Sequence, residues 1–315
     1  MMPVKFRKWL TTAAAVALMF AATDAMAQAK KRIALVQAHQ ESRFRIDLNA
    51  GATEEAKKLG VDLVIYNANN NPALQNDAME TYVNDKVDAI LVLAIDANGI
   101  KPSIADAVKA GIPVLAVDTV VDGANQANIG VDNKDVGNQL GRLVGDYVKK
   151  GLNGTAEVGV VGALNSFIQN LRLDGFKEGL SATAPNAKIV GTVDGQNTQN
   201  VAQNVAEALL TANPKLSVIY ATGEPAMVGV MAAVQSQSAQ KRVKVFGWDL
   251  NAQSVKAIDE GWVSVVAQQE AAKLGSTAVA TAVKLLKGEK IDAKVSVPVS
   301  IVDKSNIDQF RGRFK

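Results

Sequence analysis

Cysteine is absent from the sequence of 315 residues, and histidine occurs once, as His39. Without cysteine, this chain has no disulfide bond, no thiolate metal ligand, no cysteine nucleophile and no cysteine that could carry a lipid. With one histidine, a metal site of several histidines is excluded, and a histidine-based catalytic triad could be assembled in only one way. We therefore predict no catalytic residue, no metal site and no cofactor.

Motifs that bind nucleotides or carry catalysis are also missing. The chain contains no G-x-x-x-x-G-K-[ST] phosphate loop, no G-x-G-x-x-G after a strand, no G-x-S-x-G elbow and no H-E-x-x-H. A pair of carboxylates could still serve glycoside hydrolysis, but nothing in the sequence marks one carboxyl group for the raised pKa that such an acid needs. An enzyme that acts on carbohydrate is therefore kept only as an alternative from another class.

The first 27 residues have the layout of a secretion signal. A basic start at residues 5–8 precedes an apolar stretch at 11–20, and Ala-Met-Ala at 25–27 offers a small-x-small cleavage site. The apolar stretch is too short to span a membrane, and no second apolar run of spanning length follows it. We predict cleavage after Ala27 and release of the mature chain into the periplasm.

Charge of one sign does not dominate the sequence. The net charge is +3, and the predicted signal peptide carries three basic residues against one acidic residue, so the mature chain is close to neutral. A basic field that would attract nucleic acid is missing. We therefore predict no nucleic-acid partner, and we expect a monomer.

Short apolar segments alternate with helical patterns along the mature chain. Residues 32–37, 88–95 and 112–118 are predicted as strands, and 48–59 as a helix; the strand at 88–95 is continuously apolar, as a buried parallel strand is. The same alternation starts again after the glycines at 151–154. The pattern predicts an α/β fold of two doubly wound parallel-sheet lobes.

The predicted lobes are each made of two pieces of chain. The N-terminal lobe is placed at residues 28–132 and 269–297, and the C-terminal lobe at 133–268 and 298–315. The chain then crosses between lobes near Asp132, Gln268 and Val297, and a hinge of three segments confines rotation to roughly one axis. The basic tail at 311–315 is expected to be frayed.

One stretch, VKVFGWD at 243–249, stands out for its chemistry. A strand that ends in Gly-Trp-Asp brings a flat ring and a carboxylate to the carboxyl end of a strand, where ligands bind in open α/β sheets. Alternatively, Trp248 is a core residue and Asp249 only caps the next helix. Asp118 also follows an apolar strand, but no helical pattern follows that it could cap.

Six short motifs resemble those of the periplasmic sugar-binding proteins of the ribose/galactose type. They are RIALV followed by Phe44, then PVLAVD, NIGVDN, RLDGF, VFGWD and VVAQ, in this order between residues 31 and 304. The resemblance implies a type I periplasmic binding fold and the substrate-binding protein of an ABC importer. The implied partners are a small sugar or polyol and the permease in the inner membrane, with a chemoreceptor as a further candidate.

The resemblance also implies which residues hold the ligand. An aromatic ring from each lobe, Phe44 and Trp248, would sandwich the sugar, because the C–H faces of sugars stack well on flat rings. The carboxylates Asp118 and Asp249 and the hinge amide of Gln268 would take its hydroxyl groups, at roughly 1.5–3 kcal/mol for each charge-assisted bond. Further candidates for ligand contact are His39, Arg45, Asn170, Arg172 and Asn197.

The sequence departs from the ribose-like pattern at several of these positions. Ala94 and Gly223 stand where asparagines are expected, and Thr119 and Asn170 where arginines are expected. Arg45 replaces a second aromatic residue beside the first-lobe ring. Several hydroxyl-directed groups are therefore missing, and the alternative within the same fold is a non-sugar ligand, such as a furanosyl signalling molecule or an acidic metabolite.

Overall fold

The computed structural model describes residues 30–38 and 43–314; the predicted signal peptide and His39 lie outside the described residues. The first part contains β1 (Arg32–Gln37), α1 (Arg43–Leu59), β2 (Asp62–Asn67), α2 (Pro72–Asn84), β3 (Ala89–Val92), α3 (Lys101–Lys109), β4 (Val114–Val117) and β5 (Ala127–Gly130). The second part contains α4 (Asn133–Gly151), β6 (Ala156–Gly162), α5 (Phe167–Thr183), β7 (Ala187–Asp194), α6 (Gln199–Ala212), β8 (Leu216–Ala221), α7 (Glu224–Ser236), β9 (Lys244–Trp248), α8 (Ala252–Asp259) and β10 (Val263–Gln269). The chain continues with α9 (Ala271–Leu286), β11 (Lys294–Ser296), β12 (Val299–Val302) and 3-10 turns at Ile307–Gln309 and Arg311–Phe314.

The strands form two six-stranded sheets of matching design. Their orders are β11-β5-β4-β3-β1-β2 and β12-β10-β9-β8-β6-β7, so that β4 corresponds to β9 and β5 to β10. Among the described strands, β10 and β12 pair antiparallel and the other neighbours pair parallel. The predicted α/β fold of two doubly wound lobes is confirmed.

Each sheet is buried on both faces, which explains the continuously apolar strands. Along β1, Ile33 and Leu35 pack into one apolar core, while Ala34 and Val36 pack into another. Successive side chains of a strand point to opposite faces, so a sheet covered on both sides needs an apolar residue at every position. No helix within the described ranges is both long and apolar enough to cross a membrane.

The chain passes from one sheet to the other in three places. It leaves the first sheet after β5, returns after β10 to form α9 and β11, and leaves again before β12. Helix α9 packs along α1 in the first lobe. The exact limits of the lobes, set above near Asp132, Gln268 and Val297, stay a prediction.

The carboxyl-terminal segment is docked rather than frayed over the part that the structure describes. The Nη1 and Nη2 atoms of Arg311 donate to the two carboxylate oxygens of Asp259, at 2.8 and 2.7 Å. Arg313 donates to Glu270 at 2.9 Å. Phe310 is buried in the core of the second lobe. The expectation of a frayed tail is therefore wrong for 311–314, because these ion pairs and one buried ring hold the segment against its lobe.

Helices α4 and α5 touch through their backbones. A Cβ atom at Gly141 of α4 would overlap the backbone oxygen of Phe176, and one at Gly175 of α5 would overlap that of Lys134. Only glycine permits two helix backbones to approach so closely. This contact brings the start of α4, at Asn133, within reach of the Arg172 side chain on α5.

Candidate functional site

Two aspartates occupy corresponding positions in the two lobes. Asp118 follows β4 and Asp249 follows β9, and both have the left-handed backbone conformation, with φ of 66° and 61°. Each donates its backbone N–H to the neighbouring strand, Asp118 to Ile129 at 2.8 Å and Asp249 to Ala267 at 3.0 Å. The predicted pair of carboxylates therefore lies at the carboxyl ends of equivalent strands, the edge of such sheets at which ligands bind.

Asp249 is not the cap of the following helix. Helix α8 is capped by Asn251, whose side-chain oxygen accepts from the backbone N–H of Ser254, and the Ser254 hydroxyl accepts from Asn251 in return. Asp249 instead accepts two hydrogen bonds from the Gln269 amide, one on each carboxylate oxygen and both at 3.1 Å. The capping alternative for Asp249 is thus wrong, and its carboxylate is held by a neighbouring strand.

Trp248 is a core residue. It is fully buried, and its indole N–H donates to the Tyr220 hydroxyl at 2.8 Å. The Arg172 guanidinium lies 3.7 Å from the centre of the indole ring, close enough for a cation–π contact. The predicted stacking of Trp248 on a ligand is at odds with this geometry, because burial and Arg172 leave the ring no free face.

Arg172 ties three elements together beneath the cleft. Its Nε donates to the Asn133 side chain at 2.8 Å and its Nη1 to the Thr222 backbone oxygen at 3.0 Å. Burial lowers the pKa of Arg172, and the negative charge of Asp249 opposes that shift. The side chain therefore carries positive charge from α5 to the cleft side of β9, although only 6% of it is exposed.

The charge of Asp118 in the first lobe acts on the Asp249 carboxylate in the second. Burial raises the pKa of Asp249, Arg172 and the Gln269 amide lower it, and the charge of Asp118 raises it further. Burial and the charge of Asp249 also raise the pKa of Glu224, at the start of α7. The second lobe therefore presents two acceptors, the half-buried Asp249 and the exposed Glu224, that one guanidinium only partly neutralises.

The first lobe contributes a ring, a guanidinium and a carboxylate. Phe44 and Arg45 lie in the first turn of α1, which begins five residues before the predicted start at residue 48. The Arg45 guanidinium pairs with the Asp118 carboxylate at 3.3 Å, and it lies 5.3 Å from the centre of the Phe44 ring. Arg45 stands at the position where the ribose-like pattern has a second aromatic ring. Its positive charge neutralises the Asp118 carboxylate of the first lobe.

Two of the cavities that lie where the lobes meet contain the paired aspartates. The first, of about 300 Å³, is lined by Arg43, Phe44, Asp47, Glu224, Asp249, Leu250, Gln268, Gln269, Glu270, Ala271, Ala272, Arg313 and Phe314. The second, of about 310 Å³, is lined by Asp118, Thr119, Val120, Asp122, Asn128, Ile129, Gly130, Val131, Phe167, Leu171, Lys294 and Val295. Both lobes line each cavity, and each cavity contains one of the paired aspartates.

The remaining predicted residues support loops near the cleft. The Gln268 oxygen accepts from the Leu250 backbone N–H at 2.8 Å, and its amide donates to the Gln269 backbone oxygen, also at 2.8 Å. Asn170 donates to the Leu164 backbone oxygen, and Asn197 accepts from the Gln169 amide, both at 2.9 Å. Gln268 lines the first cavity, whereas Asn170 and Asn197 line neither of the two.

Among the residues that line the cleft without having been predicted as ligand contacts are Glu224, Gln269 and Phe167. Gln269 directly follows the predicted Gln268, and only the register of β10 shows that its amide faces Asp249. Phe167 lies at the first position of α5, where a sequence pattern indicates only the start of a helix. Within residues 30–38 and 43–314, no group of three or more histidine, aspartate or glutamate side chains is arranged to hold a metal ion.

Two similar α/β lobes with polar groups of both lobes facing a shared cleft define the class of two-lobed solute-binding proteins. A family model described as a periplasmic binding protein domain matches residues 33–290. The ribose import binding protein of Escherichia coli is 30% identical over 303 residues, 96% of this chain and 100% of that protein. A D-ribose/D-allose-binding protein of Pseudomonas aeruginosa is 30% identical over 304 residues, 92% of this chain and 94% of that protein.

Solved structures agree with these relatives. An ABC transporter periplasmic solute binding protein from Actinobacillus succinogenes with bound D-allose has a TM-score of 0.80 at 25% identity, covering 89% of this chain and 100% of that one. An ABC transporter solute binding protein from Agrobacterium vitis bound with alpha-D-tagatopyranose has a TM-score of 0.77 at 25% identity, covering 90% and 99%. The chain belongs to the periplasmic binding protein family, as its motifs predicted.

Proposed function

We propose that this chain is the substrate-binding protein of an ABC importer and that it binds one small, uncharged sugar or polyol between its lobes. The observation that carries the proposal is the pair of corresponding carboxylates, Asp118 and Asp249, at the cleft edges of the two sheets. Carboxylates are strong acceptors for hydroxyl groups. The named relatives bind ribose or allose, which supports the same ligand class here.

The charges of the cleft favour a neutral ligand over an acidic metabolite. Arg45 is paired with Asp118, and Arg172 lies in the field of Asp249. Glu224 adds a further carboxyl group to the first cavity. An anionic ligand would therefore meet an excess of negative charge, whereas hydroxyl groups can donate to all three carboxyl groups.

A hydrolytic role finds less support in the same groups. A glycosidase needs one carboxyl group that is protonated and one that is ionised. Here burial raises the pKa of both Asp249 and Glu224, so their environments do not separate an acid from a base. The family consists of binding proteins, and we infer that the ligand leaves this cleft unchanged.

Closure follows from the division of contacts between lobes. A ligand touches both sets of groups only when the lobes are closed, so binding shifts the population toward the closed form. A ligand with a micromolar Kd binds with a free energy of about 8 kcal/mol. The part of this free energy that is gained only in the closed form is what drives closure. We expect the inner-membrane permease to recognise the closed form, a chemoreceptor to be a second partner, and the mature protein to act as a periplasmic monomer after cleavage behind Ala27.

A thermal-shift panel tests this function. Pentoses, hexoses, alditols and sugar acids are added to the purified mature chain, and a ligand at 100 times its Kd is expected to stabilise it by about 2.7 kcal/mol. Asp118→Asn is the matched variant, because asparagine tolerates the left-handed backbone, removes the charge and keeps one acceptor oxygen. Stabilisation by sugar acids but not by neutral sugars or polyols would contradict the proposed ligand class. Conversion of the bound ligand, followed by NMR, would contradict the binding role.

A further inference from the structure

Phe167 is an apolar ring that the fold leaves uncovered. It is 65% exposed, the largest exposed fraction among the exposed large hydrophobic side chains in the described part of the chain. Burying a phenylalanine side chain is worth about 1.5–3 kcal/mol, so an exposed one is a notable feature when it faces a cavity. Phe167 faces the cleft: it lines the second cavity together with Asp118 and Val120.

The same ring also reaches the neighbouring part of the cleft. A third cavity, of about 450 Å³, is lined by the turn around Ala97 and Asn98 of the first lobe and by Ser166–Ile168 of the second. Phe167 and Val120 line both this cavity and the second one. The ring therefore stands between the lobes, beside the first-lobe carboxylate and not on the outer surface.

Hydrogen bonds hold the start of α5 in place. The Ser166 hydroxyl accepts from the Gln169 backbone N–H, and the Gln169 side-chain oxygen accepts from the Ala163 backbone N–H at 3.0 Å. The Thr222 hydroxyl donates to that oxygen at 2.6 Å, and the Gln169 amide donates to Asn197 at 2.9 Å. The backbone that carries Phe167 is thus fixed to the ends of β6 and β8 before any ligand arrives.

Among the described residues, Phe167 is the one aromatic ring that lines the second or the third cavity, and Trp248 is buried beneath Arg172. We propose that Phe167 is a specificity-determining residue whose ring packs on the C–H face of a ligand that donates hydroxyl groups to Asp118. This proposal rests on the proposed function. A cyclic sugar offers such a flat apolar face, whereas an acyclic polyol offers it poorly, so the ring selects for cyclic ligands.

The test measures affinity for two ligand classes in Phe167→Ala, with D-allose and D-ribose as cyclic probes and ribitol and glycerol as acyclic probes. We expect calorimetry to show a loss of about tenfold for the cyclic sugars and a clearly smaller loss for the polyols. Phe167→Leu keeps the apolar bulk without the flat ring and is expected to fall between the wild type and Phe167→Ala. Leu164→Ala is the control, because Leu164 lies on the same loop and is 39% exposed but lines none of the three cavities.

Each alternative has its own signature. An equal loss for both ligand classes would mean that the ring acts through lobe closure and would overturn the proposal. Unchanged affinity would also overturn it, and a loss of uptake with unchanged affinity would assign the ring to a permease contact. If the wild type binds none of the probes, that result contradicts the proposed function itself and therefore also this inference.

Discussion

The most informative perturbation is the pair of substitutions Asp249→Asn and Asp249→Ala. Asp249 has a φ of 61°, a conformation that asparagine tolerates and that costs alanine about 1–2 kcal/mol. Asparagine also keeps an oxygen that can accept from the Gln269 amide, which now donates to both carboxylate oxygens. The asparagine variant therefore isolates the charge, and the alanine variant removes the whole acceptor.

The expected losses of affinity follow from the hydrogen bonds that a ligand would make. A bond to a charged acceptor contributes roughly 1.5–3 kcal/mol and one to a neutral acceptor roughly 0.5–1.5 kcal/mol, so Asp249→Asn should cost about 1–1.5 kcal/mol for one bond to the ligand. Asp249→Ala should cost about 2–3 kcal/mol, a factor of some 30–150 in Kd. Titration calorimetry with the best ligand of the panel measures both. Wild-type affinity in both variants would refute the assignment of Asp249 to the ligand site.

Asp249→Asn, which should weaken ligand binding, should stabilise the unliganded protein. Burial raises the pKa of Asp249 above its unfolded value, although Arg172 and Gln269 act in the other direction. The stability contributed by such a group is fully present below its unfolded pKa and is lost as pH rises through the folded pKa. Asp249→Asn should therefore raise the unfolding temperature at neutral pH, and the gain should shrink as pH falls towards the unfolded value.

Asp88 serves as the control, because its pKa is shifted in the opposite direction to that of Asp249. Burial tends to raise the pKa of Asp88, but hydrogen bonds from Lys31 and from the Arg32 backbone N–H, both at 2.7 Å, lower it overall. Its contribution is present above the unfolded pKa and is lost as pH falls through the folded value. Asp88→Asn should destabilise the protein at neutral pH. Equal effects of the Asp88 and Asp249 substitutions across the pH range would refute the electrostatic argument.

Two further predictions concern packing. Gly141→Ala should lower the free energy of unfolding by about 3 kcal/mol or more, because the new methyl group would overlap the backbone oxygen of Phe176. Urea titration measures this loss. Gly312→Ala is the control and should leave the free energy of unfolding unchanged, because the space around Gly312 is open. Arg172→Lys should destabilise the protein by about 2 kcal/mol and change the emission of Trp248, because an ammonium group lacks both the planar face that covers the indole and the fixed fork of donors that reaches Asn133 and Thr222. Unchanged emission together with unchanged stability would contradict the role given to Arg172.

Several local features of the fold were accessible from the sequence. The first strand was predicted with its observed bounds, Arg32–Gln37, and the repeated strand–helix alternation indicated two similar lobes. Asp118 and Asp249 were singled out because each follows an apolar strand, and in a parallel sheet the ends of strands share one edge. These inferences succeed because burial on both faces and chain direction act on residues that are close in sequence.

Other features depend on residues that are distant in sequence. The resemblance implied that Trp248 is a ligand-stacking ring, but Arg172 of helix α5 covers it, and the glycine contact of α4 with α5 helps to position that arginine. Likewise, nothing local distinguishes Phe167 from a buried residue in the first turn of a helix. A pattern in the sequence can predict that a ring stands at the end of an element. Only the packing of that element against the rest of the protein decides whether the ring lies in the core or faces the cleft.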